Sequence, residues 1–549
     1  MTGHRIYYVP PRLTGSIRDW SGMDTPDGNS WLLDSAADMK FNALWFSPMS
    51  VTSGIEKKVH NTDKVLGGSY YAARDHFKLD PEFSCGDAER DREHLRHFAA
   101  QAKEKGISLY ADLVFNHVAA DHPLVFEENA AIDALKAKVN GKYDVIHSDS
   151  GKVIGMSYKD GDETKQMHFK FRRTENLGLL FGGPAEDPWT DVAQVNYSSP
   201  EARRYFVYGD ENHKGLFKQV IDWHIDNGFT NFRCDAAYLI PPESWQELIT
   251  YAHSRVPETV FMAETLCLDQ NKVQRLSNAV ITDDNGNDRP AFDLGMLGFF
   301  WWDFKSDWMP KDEVPRVQKM SKYGGAGSPD THDTVDTLAG AIKKPLSKIF
   351  NDTARQDKAT AEISIRNYAL SVLGGNSSYM QMGYEFCNEK QNGVFKGQVS
   401  PADWQKLEAL QGTTRDISNR IRDLNQLKED LQLDNCRPVM KEYGTIQDGG
   451  LIRVRVEFID ADTNVKKADI VLVMNQKPEK GPVALTDANR AAFEKEGLVC
   501  HGANAGQPAM PIADVRIFHT PVPAAPAPKA ANSNAAPAIK RKAASGPQP

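Results

Sequence analysis

Four short blocks of the 549-residue chain carry acids, histidines and an arginine at the ends of apolar runs. Ala111-Asp-Leu-Val-Phe-Asn-His117 supplies Asp112, Asn116 and His117, and Phe232-Arg-Cys-Asp235 supplies Arg233 and Asp235. Met262-Ala-Glu-Thr265 supplies Glu264, and Ser328-Pro-Asp-Thr-His-Asp-Thr334 supplies His332 and Asp333. Side chains of these types can transfer protons, attack an electrophilic centre or stabilise charge, provided they meet at one place. A charge at the end of a buried strand is costly without a partner or a role. Taken singly, each residue is as readily a rim ion pair, Arg233 with Asp112 or Asp235 for example, as a catalytic group. The three carboxylates Asp235, Glu264 and Asp333, with two histidines and an arginine, in this order are poorly explained by chance.

The elements that must position them alternate. Ala43-Leu-Trp-Phe-Ser-Pro48 and Ile107-Ser-Leu-Tyr-Ala-Asp-Leu-Val114 read as buried strands, with a charged helix from Cys85 to Gly106 between them. A helix from about Pro200 to Asn227 closes at Gly228, followed by a strand over Phe229–Asp235. A helix over Pro242–Arg255 and a strand over Val260–Glu264 come next. This rhythm of about 30 residues per unit predicts parallel βα units. In a (β/α)8 TIM barrel, polar groups at the C-terminal ends of different strands converge on one mouth. Asp235 and Glu264 are then one unit apart, and Glu264 and Asp333 about two, which brings all three carboxylates to that mouth. The stretch Tyr-Gly-Gly-Ala-Gly-Ser before Pro329 is poor material for the seventh strand this requires.

The four blocks resemble the sequence regions of the α-amylase family of retaining glycoside hydrolases and transglycosylases. The family patterns, roughly D-x-V-x-N-H, G-F-R-x-D, a strand-ending Glu and N-H-D, stand here at Asp112–His117, Asn231–Asp235, Glu264 and Thr331–Asp333. Gly68-Ser-Tyr-Tyr-Ala-Ala-Arg-Asp75 is similar to the early G-Y-x-x-x-D stretch, with Tyr71 where the family stacks a tyrosine on the reacting sugar. Gln381-Met-Gly-Tyr-Glu385 resembles the segment after the eighth strand. The resemblance covers about 500 of the residues and implies a catalytic barrel over 1–117 and 196–438. It also implies an inserted, loop-rich B domain over 118–195 and a C-terminal antiparallel β domain over 439–519, where period-2 segments begin. The implied roles are Asp235 as nucleophile, Glu264 as general acid and base, and Asp333 as transition-state stabiliser. Asp112, Arg233, Tyr71, His117 and His332 would bind or orient substrate, an α-glucan or maltooligosaccharide. The expected activity is cleavage of α-1,4-glucosidic bonds through a covalent glycosyl intermediate. Transfer or isomerisation through the same intermediate, and a non-catalytic carbohydrate-binding or scaffold role, are the alternatives.

The chain also departs from the family. Many amylases carry Lys-His three and four residues after the nucleophile; Tyr238 and Leu239 stand here, and Thr331 replaces the Asn before His332-Asp333. These changes fall on the acceptor side. Asn116 matches a common calcium ligand, but no carboxylate partners for it can be picked out in the insertion; the expectation is that no cofactor is required, with a calcium ion as the alternative. His122-Pro123 is similar to a feature of maltosyl-transferring members, without a phosphate-binding segment to accompany it. Phe299-Phe-Trp-Trp-Asp-Phe304 is either a sugar platform or a core cluster.

Composition excludes other classes. With 65 Lys+Arg against 74 Asp+Glu, net charge −9, the chain has no electrostatic footprint for nucleic acid or an anionic membrane. No apolar run approaches the ~20 residues of a membrane span. The first residues lack the basic and apolar regions of a secretory signal, and the six scattered cysteines form no CxxC pair. A reduced, cytoplasmic protein is expected. Residues 520–549 are Pro/Ala-rich and read as a disordered tail, within which Lys540-Arg-Lys542 is a solvated basic cluster.

Overall fold

The computed structural model of the protein describes residues 3–54, 56–58, 65–124, 142–147, 153–168, 177–179, 191–267, 269–282, 286–302, 304, 306–334, 336–446, 450–475, 483–501, 509–510 and 515–522. Its centre is a closed barrel of eight parallel strands. They are β1 (Arg5–Val9), β2 (Ala43–Phe46), β3 (Ser108–Leu113), β4 (Asn231–Cys234), β5 (Phe261–Ala263), β6 (Leu294–Leu297), β7 (Gly325–Gly327) and β8 (Ser377–Gln381). Strand order follows chain order, and β8 closes on β1 through the register Tyr7↔Met380. Because successive side chains alternate across a strand, one parity faces the lumen. Ile6, Tyr8, Ala43, Trp45, Tyr110, Met262, Leu294, Met296 and Tyr379 form that inner cluster. On β3, β4 and β5 the same parity runs on to Asp112, Arg233, Asp235 and Glu264, which makes them the top layer of the lumen.

Outside the strands lie α1 (Ala88–Glu104), α2 (Leu216–Asp226), α3 (Pro242–Arg255), α4 (Thr353–Gly374) and α5 (Ser418–Asp430). Asp87 caps α1 through bonds from Glu89 N and Arg90 N, which is how the short polar acids satisfy first-turn amides. The single helix expected from Pro200 to Asn227 is broken. A turn of helix at Pro200–Arg203 runs into a wider π-turn at Arg204–Tyr208, and α2 starts afresh at Leu216. Gly209 takes φ +77°, and a Cβ there would lie 2.4 Å from His213 O.

The seventh strand does form from the glycine run, against the sequence expectation. A Cβ on Gly325 would lie 2.1 Å from Leu297 Cδ1, and one on Gly327 2.4 Å from Ser371 O. Neighbouring strand β6 and helix α4 press so closely on β7 that side chains are excluded. Propensity is overridden there by crowding.

Two three-stranded antiparallel sheets are found in the inserted segment: Tyr143–His147, Val153–Asp160 and Glu163–His168 in one, and His117–Ala119, Leu177–Leu179 and Val192–Val195 in the other. The insertion is thus richer in strands than its polar, irregular sequence suggested; residues 161–166 of the first sheet are exposed, so no apolar alternation marks them. The C-terminal sheet contains β9 (Cys436–Ile446), β10 (Leu451–Asp460), β11 (Lys466–Asn475), β12 (Val499–Cys500) and β13 (Val515–His519), in the order β9-β10-β11-β13-β12. The expected boundary at 438/439 falls inside β9. Beyond β13, Thr520 Oγ1 accepts from Asp469 N at 2.9 Å; residues 523–549, with the Lys540–Lys542 cluster, lie outside the described residues. Among the described residues no helix is long and apolar enough to cross a membrane.

Candidate active site

Arg233 is the hub. It is 1% exposed, and its guanidinium reaches three carboxylates. Nη1 donates to Asp112 Oδ1 and Oδ2 at 3.0 and 3.2 Å and to Asp235 Oδ1 at 2.7 Å, and Nη2 donates to Glu264 Oε2 at 2.9 Å. The register makes this inevitable: Arg233 pairs with Asp112 on β3 and with Met262 on β5, two residues before Glu264. A planar, permanently charged fork presents its donors in fixed directions, so it can orient several carboxylates at once. Immediately after Asp235 the chain turns, with Ala236 at φ +42°. That turn aims Ala236 N at Glu264 Oε2, 2.7 Å away.

The other predicted residues arrive from two loops, which carry Tyr71 and His332-Asp333, and from the start of the His117–Ala119 strand. Tyr71 hydroxyl lies 2.8 Å from His332 Nε2 and 3.3 Å from Asp112 Oδ2, and its ring stacks on His332 at 5.6 Å with 7° between planes. His117 Nε2 lies 3.0 Å from Tyr71 O, so the histidine donates there and its other nitrogen faces Asn116 Nδ2 at 3.3 Å. His332 Nε2 is also 3.2 Å from Asp333 Oδ1. Asp235 and Glu264 are buried, but Asp333 is 42% exposed. The fold therefore brings Tyr71, Asp112, His117, Arg233, Asp235, Glu264, His332 and Asp333 into one connected set.

Burial dominates the electrostatics. It pushes the Glu264 carboxyl up to about 8; Arg233 pulls the other way, and the charges of Asp235 and Asp333 add to the rise. Burial likewise raises Asp112, against the pull of Arg233. It lowers His117 and His332 below the usual histidine range, so both rings are neutral at pH 7. Glu264 Oε2 already accepts two donors, so the proton of the neutral acid resides on Oε1.

No protein-family model matches the sequence, and no curated protein matches it. Solved structures do. An α-amylase from Lactobacillus plantarum superposes with a TM-score of 0.52 at 17% identity, over 94% of this chain and 98% of that one. A maltogenic α-amylase from Thermotoga neapolitana gives 0.53 at 15% identity, over 94% and 96%. The cyclic α-maltosyl-(1→6)-maltose hydrolase from Arthrobacter globiformis gives 0.53 at 14%, over 94% and 98%.

The chain has the α-amylase fold.

Within that fold, some contributors were not singled out from sequence. Trp45 donates Nε1 to Asp112 Oδ2 at 3.2 Å and lies 5.2 Å from the Arg233 guanidinium, face on. Its strand was read only as core; the signal was its parity with Ala43, since both point into the lumen. Tyr238 is half-buried, and its hydroxyl is held protonated by burial and by the charges of Glu264, Asp235 and Asp333. The aromatic run at 299–304 divides: Phe299, Trp302 and Phe304 are buried, Trp301 is 49% exposed, and residue 303 lies outside the described residues. His122 is buried against His76, with Nδ1 accepting from Leu124 N at 3.1 Å.

Asn116, the residue that matches a common calcium ligand, is buried beside Gln194. Its Oδ1 accepts from Gln194 Nε2 at 3.3 Å, and among the described residues no three His, Cys, Asp or Glu side chains cluster to hold a metal ion.

Proposed function

We propose that the protein is an α-amylase-family glycoside hydrolase that cleaves α-1,4-glucosidic bonds of glucans or maltooligosaccharides through a covalent glycosyl–enzyme intermediate. The observation that carries this reading is the Arg233 fork, bonded at once to Asp235 and Glu264 at the mouth of an α-amylase-type barrel. One guanidinium shared by two carboxyl groups fits the ~5–5.5 Å separation of retaining enzymes better than the ~6.5–9.5 Å of inverting ones. Arg233 holds Oδ1 of Asp235, and Oδ2 attacks the anomeric carbon. Glu264 gives its Oε1 proton to the glycosidic oxygen as the bond to that oxygen breaks. The same carboxylate then takes a proton from water, which attacks the anomeric carbon and frees Asp235. Asp333 and the neutral His117 and His332 bind sugar hydroxyls, and Tyr71 offers an aromatic face to the ring.

A second reading, glycosyl transfer or isomerisation through the same intermediate, is favoured by Tyr238 and Leu239, which stand where many amylases place Lys-His against the acceptor. A non-catalytic role is disfavoured by the survival of all three carboxylates. Asp235→Ala or Glu264→Gln is expected to lower turnover on maltoheptaose by several orders of magnitude; near-wild-type rates in either would refute the mechanism. Products of maltoheptaose, with and without added acceptor, separate the readings. Shorter sugars alone mean hydrolysis, longer ones transfer, and unchanged maltoheptaose neither.

A further inference from the structure

The loop after β8, residues 388–398, touches both loops that carry the sugar-facing side chains. On one side, Gln391 Nε2 donates to three oxygens of the Asp333 loop: Thr331 O and Thr334 O at 2.8 Å each, and Thr334 Oγ1 at 3.0 Å. The amide is itself held, since Gln391 Oε1 accepts from Asn392 N at 2.9 Å. Asn392 Nδ2 in turn donates to Met382 O at 3.1 Å and to Gln381 Oε1 at 3.3 Å, at the end of β8. Gln381 Nε2 then donates to the buried Asp330 Oδ1 at 2.8 Å, two residues before His332.

On the other side the same loop grips the Tyr71 segment. Val394 O accepts from Tyr70 N at 3.0 Å, and Lys396 N donates to Gly67 O at 2.9 Å. Arg12, 3% exposed, cross-links the two strands of chain. One of its terminal nitrogens donates to Val394 O at 2.7 Å and the other to Gly68 O at 2.6 Å. Where the gripped loops meet, Tyr71 bonds His332, and His332 pairs with Asp333.

Asp235 and Glu264 need no such help, because strands β4 and β5 and Arg233 fix them. Asp333 sits on a loop, half-exposed, and its loop's carbonyls converge on one glutamine amide. We infer that the loop after β8 is a clamp setting the Tyr71–His332–Asp333 wall of the site, and that Gln391 is a positioning residue for the reaction. The inference rests on the function proposed above.

The test is a double-mutant cycle between Gln391→Met, which keeps length but loses both N–H donors, and Asp333→Asn, with α-maltosyl fluoride as the donor. A carboxylate displaced by ~1 Å costs up to ~10²-fold, so Gln391→Met should lower kcat/KM by ~10–100-fold in the wild-type background. Residues acting as a unit are non-additive, so in the Asp333→Asn background the same change should cost less than ~3-fold. An equal loss in both backgrounds, or a loss under ~3-fold in the wild type, overturns the clamp while leaving the site reading intact. Near-wild-type activity of Asp333→Asn overturns the site reading, and the clamp with it. Should Gln391→Met fail to fold, Thr334→Val, which removes one of the three acceptors, takes its place in the same cycle. It should show a smaller loss with the same non-additivity, and an additive loss counts against the clamp.

Discussion

Arg233→Met tests the physical core of the site. The substitution keeps much of the side-chain volume and removes one buried positive charge from three carboxylates 2.7–3.0 Å away. Breaking a buried pair by deleting one partner typically costs ~3–5 kcal/mol, because the other charge is left uncompensated. Here the protein can lessen that cost by holding protons on Asp112 and Glu264. Asp112 and Glu264 are already raised by burial with the cation present, and its removal sends them higher. An acid whose folded pKa lies above its unfolded value, about 4, favours the folded state least when it must ionise. The variant's deficit therefore stays level while both proteins keep these carboxyls protonated, and grows as pH rises through the wild-type folded values, about 7 for Asp112 and about 8 for Glu264, at ~1.4 kcal/mol for each unit of added shift. Urea midpoints of wild type and variant at pH 5, 6, 7, 8 and 9 measure it. The gap should be level at pH 5 and 6 and widen from pH 7 upward. A gap that stays constant or narrows would show that Arg233 is not the counter-ion of these carboxylates, and the electrostatic account of the site would fall with it. Arg233→Lys should recover part of the stability without the activity, since a point charge on a flexible stem lacks the fixed fork that orients Asp235 and Glu264.

Glu264 raised to about 8 predicts that kcat/KM falls above that pH, as the general acid loses its proton; Glu264→Gln should remove this limb from the pH–rate profile along with most of the activity. In the seventh strand, Gly327→Ala drives a methyl group to within 2.4 Å of Ser371 O, a backbone atom, and should cost ~1–3 kcal/mol, read as a lowered thermal midpoint. An unchanged midpoint would mean that β7 has room the packing denies.

Much of the site was legible in the sequence because a barrel turns strand-end positions into neighbours. Asp112, Arg233, Asp235 and Glu264 need only the right parity and a parallel register to converge, and both follow from local pattern. His332 and Asp333 were placed by counting βα units, although the glycines of β7 argued against the strand that carries them. The interrupted helix over 200–226 was hidden because Gly209 and Gly215 matter through what their Cβ atoms would strike, not through periodicity. The first sheet of the insertion was hidden by the lack of any apolar alternation along the exposed residues 163–166 of its last strand.

The amino-acid order alone determined the candidate groups, their sequence along the chain and the barrel that orders them, since these depend on residue type and short-range spacing. Tertiary structure decided what surrounds them. Trp45 reaches Asp112, Ala236 N reaches Glu264, and Gln391 reaches the Asp333 loop across 57–60 residues of chain. Burial then raises Glu264 and neutralises the two histidines. Such contacts and the desolvation that accompanies them belong to chain segments remote in sequence, and they exist only once the barrel has closed.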